Sequence, residues 1–110
     1  MTERRGALEP TSEKVRLAAS GPGNGSHSVF FAEGLLVVEW YDHGDQAPYE
    51  SVNQLLLDAE AQRRLLGETA SAMSSDALTA LASRFDSWWK VKRECDAAGI
   101  GYEKVTDFEV

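Results

Sequence analysis

Residues 28–42 read Ser28-Val29-Phe30-Phe31-Ala32-Glu33-Gly34-Leu35-Leu36-Val37-Val38-Glu39-Trp40-Tyr41-Asp42, the strongest local structural signal in the chain. Two runs of β-branched and aromatic residues flank Ala32-Glu33-Gly34, where glycine supplies the positive φ of a tight turn, so the segment is predicted to be a β-hairpin. With Glu33 and Gly34 as the loop, Phe31 stands opposite Leu36, Val29 opposite Val38 and His27 opposite Trp40 on one side of the sheet. Phe30, Leu35, Val37 and Tyr41 fall on the other. Both faces are apolar near the turn, and each apolar face needs cover from water. Helices are expected over one; the N-terminal tail or a partner chain is left to cover part of the second.

Upstream of the hairpin, Val15, Leu17 and Ala19 alternate with Lys14, Arg16 and Ala18, the pattern of a half-buried strand. It ends at Ser20-Gly21-Pro22-Gly23-Asn24-Gly25-Ser26, whose glycines and proline mark a flexible connection. Residues 1–13 hold Gly6, Pro10 and unpatterned charges, which predicts a flexible N-terminal tail or a loosely docked arm and leaves 14–110 as a single α+β domain.

Downstream, residues 42–48 are a loop by composition. Val52, Leu55, Leu56, Ala59 and Leu66 then recur at helical spacing, Ser51 with Gln54 fits a capping box, and Gly67 offers a stop. A first helix is therefore predicted over 48–66. A second is predicted over 75–98, capped by Ser74 or Ser75, with Asp76 in its first turn, Leu78, Leu81, Phe85, Trp88, Trp89 and Cys95 along its apolar side, and Gly99 as terminator. Tyr102, Val105, Phe108 and Val110 suggest a short final edge strand. The order β-β-β-α-α-β implies an α+β fold, a small mainly antiparallel sheet with two helices packed on one face.

The chain of 110 residues is 43% hydrophobic and 26% charged, enough for one core and too short for two. Eleven basic residues against eighteen acidic ones give a formal charge of −7, which disfavours a grip on nucleic acid or on anionic lipid. The lone Cys95 cannot form an internal disulfide, so a reducing, cytoplasmic setting is expected. The N-terminus lacks the apolar stretch of a signal peptide, and no apolar run reaches membrane-spanning length.

Motifs with chemistry are sparse. The glycine-rich segment 21–26 lacks the Gly-Lys-Ser/Thr ending of a phosphate loop and reads as a plain connection. His27, His43 and Asp45 are the one set able to hold a divalent transition metal, against the plainer reading of a solvated turn. Cys95 has no activating base nearby in sequence and fits a buried apolar role. No catalytic motif and no cofactor site follow from these residues.

Charge distribution says more. Between Arg16 and Arg63 there is no lysine or arginine, while Glu33, Glu39, Asp42, Asp45, Glu50, Asp58 and Glu60 all fall there. A segment of one sign can steer a basic partner. The expected function is a small acidic protein-interaction or regulatory module, with Glu39, Asp42, Asp45, Tyr41 and Trp89 as its contact residues. A homodimeric structural domain with no ligand, or a metal-binding or enzymatic protein using His27, His43 and nearby carboxylates, are the alternatives.

Overall fold

The computed structural model describes residues 6–21, 25–42, 50–67 and 74–109. Five strands, β1 (Val15–Arg16), β2 (Ser26–Ala32), β3 (Leu35–Asp42), β4 (Glu50–Leu57) and β5 (Glu103–Glu109), form one antiparallel sheet in the order β1-β2-β3-β4-β5. Three helices, α1 (Ala59–Leu66), α2 (Ser75–Arg84) and α3 (Trp88–Ala98), lie between β4 and β5 in the chain. The fold is α+β, a sheet with helices packed against it.

The hairpin has the register read from sequence: Phe31 pairs Leu36, Val29 pairs Val38 and His27 pairs Trp40. Its turn places Glu33 at φ 50 and Gly34 at φ 76, the two positive angles that match strand twist in a two-residue loop. Val29, Phe31, Leu36, Val38, Leu55 and Leu57 point to the helix side, where Leu65, Leu78, Leu81, Trp88 and Val91 meet them in the main core.

The helix predicted over 48–66 is corrected to a strand followed by a shorter helix. Residues 50–57 pair with β3 on one side and β5 on the other, so Leu55 and Leu57 enter the main core while Leu56 joins the opposite cluster. An unbroken Leu55-Leu56-Leu57 run suits a strand covered on both faces, and the helical spacing of Val52, Leu55, Leu56 and Ala59 was coincidental. Ser51 is within that strand and caps nothing; α1 is capped by Asp58, which accepts the Ala61 N–H at 2.8 Å. Gly67 ends it as expected.

The helix predicted over 75–98 is two helices broken at 85–87. Phe85 is extended, Ser87 accepts the Lys90 N–H as a fresh N-cap, and the interrupted backbone finds partners from another part of the chain. Ala19 N–H donates to the Asp86 carbonyl at 2.7 Å, and Trp88 N–H donates to His27 Nδ1 at 3.0 Å. The fold therefore has one strand and one helix more than the order β-β-β-α-α-β.

Of the tail expected over 1–13, residues 6–13 are described, and part of them crosses the second face of the sheet. Leu8 is buried with Phe30, Ala32, Val37, Leu56 and Val105. Its N–H donates to Gln54 Oε1 at 2.8 Å and its carbonyl accepts from Gln54 Nε2 at 3.0 Å. Thr11 N–H then donates to the Phe31 carbonyl, and Phe31 N–H donates to Ser12 Oγ, so the arm finishes alongside β2. Among the described residues, no helix is long and apolar enough to cross a membrane.

Candidate functional site

At the end of the sheet that carries the Glu33-Gly34 turn, β4 runs into α1 and the chain enters β5. Leu36 pairs Leu57 and Leu56 pairs Glu103, so Leu35, Asp58 and Glu103 are brought to the same rim. Between them lies an open groove of about 330 Å³ with Leu35 and Leu56 among its apolar walls and Asp58, Glu60, Arg64, Tyr102 and Glu103 among its polar ones. Leu56 belongs to the buried arm-side cluster and Leu35 packs against it half-buried, so the groove borders that apolar face.

Its charges are set by local structure. Asp58 is fixed as the cap of α1, where an anion also suits the positive end of the helix dipole. Glu60, in the first turn of α1, and Glu103, at the start of β5, are exposed. Arg64 turns away to bind the end of α3, donating to the carbonyls of Gly99 at 3.1 Å and Ala98 at 3.2 Å. The groove thus combines three carboxylates with a guanidinium committed to another element.

Tyr102 is positioned by a surface triad. Its hydroxyl donates to Asp96 Oδ1 at 2.6 Å, and Lys92 Nζ donates to Asp96 Oδ2 at 2.9 Å. Those two hydrogen bonds, Tyr102 first, hold the Asp96 carboxyl below its ordinary range. The bond to Asp96 raises the Tyr102 phenol, and the bond to Asp96 likewise raises the Lys92 ammonium.

Of the contact residues expected from sequence, the described ones, Glu39, Tyr41, Asp42 and Trp89, do not share one surface. Glu39 is buried, ion-paired with Lys14 at 2.9 Å and accepting from Gln54 Nε2 at 3.0 Å, so its carboxylate is used inside the fold. Tyr41 and Asp42 are half-buried towards the far end of β3. Trp89 is 38% exposed on the helix side, where its ring centroid lies 4.8 Å from those of both Trp40 and His27. Asp45 and His43 lie outside the described residues.

His27 is fully buried and its Nδ1 already accepts the Trp88 N–H. Among the described residues, no three His, Cys, Asp or Glu side chains are grouped to hold a metal. Cys95 is buried in the core, and desolvation first, then Asp96 and Glu94, pushes its thiol up to about 11. That is an inert thiol rather than an activated one.

No family model, curated protein or solved structure matches this chain. What it does must be argued from the groove. Sequence reasoning already counted Asp58 and Glu60 in the one-signed segment, but it set them on the second half of a long helix. Glu103 joins them only through the β4–β5 register.

Proposed function

We propose that this chain is a small acidic protein-interaction module that docks on a basic partner, taking a lysine or arginine side chain into the groove between α1 and β5. The observation that carries this reading is the lining of the groove, where apolar Leu35 and Leu56 lie beside Asp58, Glu60 and Glu103. An aliphatic stem with a cationic tip matches that arrangement, the stem on the leucines and the tip among the carboxylates.

The wider charge supports the same direction. The region from Leu17 to Gln62 carries no lysine or arginine, and the whole chain stands at −7, so a basic partner is attracted before contact. A cytoplasmic, reducing setting fits the lone Cys95, which has no second cysteine to pair with.

The test is calorimetric titration with an alternating lysine–threonine octapeptide, capped at both ends, against the intact chain and a Glu60→Gln/Glu103→Gln double variant. Binding to the wild type should weaken as salt rises from about 50 to about 300 mM, because screening shortens the reach of exposed charges. The double variant should bind markedly less. Equal affinity of the two proteins would refute the assignment of the groove.

A further inference from the structure

The two edges of the sheet are not equivalent. Along β2 the outer backbone is occupied throughout: Leu17 N–H donates to the His27 carbonyl, β1 pairs at Val29 and Ser28, and Thr11 and Ser12 bond the main chain of Phe31. At the other edge, β5 continues without a bulge through seven residues paired to β4. Among the described residues no strand lies beyond it. A regular strand of this length at a sheet edge is a template for another extended chain.

Its charges select the occupant. Glu103, Val105 and Asp107 pair with Leu56, Gln54 and Val52 and so share the arm-side face, while Lys104 and Thr106 share the helix side, with Lys104 Nζ 5.8 Å from the Trp88 ring centroid. A second copy pairing β5 with β5 about a two-fold axis sets like charges opposite each other in every central register. Centred on Val105, Glu103 meets Asp107 twice; centred on Thr106, Glu103 meets Glu109 twice; centred on Lys104, the two lysines meet. Like charges directly opposite oppose pairing. A partner strand with a lysine or arginine at every second position places a cation across from Glu103 and Asp107 instead.

We infer that β5 is a docking edge for an extended basic segment of a partner protein, which adds to the sheet as a sixth strand. This rests on the proposed basic partner and specifies how it is held. The groove opens at the Glu103 end of β5, so a strand running along that edge carries its next basic side chain to Asp58 and Glu60. Ladder bonds supply main-chain affinity, the alternate cations supply selectivity, and the groove fixes the register.

The experiment uses the lysine–threonine octapeptide and two isomers, one N-methylated at its lysines and one at its threonines. In an antiparallel or parallel ladder, only alternate residues turn their N–H towards β5. One isomer should therefore lose about tenfold or more in affinity while the other binds like the parent. Alternate β5 amides of the protein should also exchange more slowly with peptide bound. Equal binding of all three peptides, still weakened by Glu60→Gln/Glu103→Gln, would overturn the added strand and leave the acidic groove standing. Absence of binding by all three would overturn both. A dimer in sedimentation that the peptide does not dissociate would give the edge to a second copy and overturn the inference as well.

Discussion

Replacing Gln54 with leucine tests whether one side chain holds the arm to the sheet. Gln54 is fully buried, clasps both main-chain groups of Leu8 at 2.8 and 3.0 Å, and donates to Glu39 at 3.0 Å. Leucine has a similar volume, so the change is chiefly one of polarity. If the arm stays down, the Leu8 N–H and carbonyl are left buried without partners, at about 1–3 kcal/mol each. If it lifts, burial of the Leu8 side chain is lost, about 1.5–3 kcal/mol, together with the net worth of its hydrogen bonds. Entropy recovered by the freed residues offsets part of that second cost. The protein takes the cheaper route, and both point to about 2–4 kcal/mol. With a urea slope of about 1–2 kcal/mol/M for a domain of this size, the unfolding midpoint should fall by about 1–4 M. Exchange of the Leu8 amide distinguishes the routes, since only a lifted arm loses protection. A midpoint within about 0.3 M of the parent, with Leu8 still protected, would refute the clasp.

Two further outcomes follow from the same structure. Gly25 and Gly34 have nearly equal φ, 75 and 76, but a Cβ on Gly25 would lie 2.3 Å from the Tyr41 carbonyl oxygen and 3.0 Å from Trp40 Nε1, whereas one on Gly34 meets nothing within 4 Å. Gly34→Ala should cost about 1 kcal/mol from backbone strain alone and Gly25→Ala more than about 2 kcal/mol, read by thermal unfolding; equal losses would contradict the packing at Gly25. The Cys95 thiol, raised to about 11 by desolvation, should be alkylated at pH 8.5 on the order of a hundredfold more slowly in the folded chain than in urea, because the thiolate is the reactive form. Since the folded value lies above the unfolded one, this group's contribution to stability is complete below the unfolded pKa and is lost as pH rises towards 11. Native alkylation at the rate of the denatured chain would refute the burial.

Local chemistry made part of the candidate site legible. The absence of cations between Arg16 and Arg63 needs no coordinates, nor does the acidity of Asp58 and Glu60. What could not be read is which acids face water. Glu39 is enclosed by Lys14 and Gln54, and Trp89, grouped with it as a contact residue, lies on the helix side of the sheet against Trp40. Both facts depend on residues distant in sequence.

The hairpin was legible from local chemistry alone. Its turn residues and its period-two pattern depend only on neighbours in the chain, so register and faces followed from them, as did the glycine stops at Gly67 and Gly99. That residues 50–57 are a strand and that 85–87 break a helix depends on long-range contacts. Leu55-Leu56-Leu57 buries equally well in either conformation, and the choice is made by ladder bonds to β3 and β5. The backbone at 85–87 leaves the helix because Ala19 takes the Asp86 carbonyl and His27 takes the Trp88 N–H from across the fold. Hydrogen bonds between distant segments decide those elements, and they exist only once the chain has closed on itself.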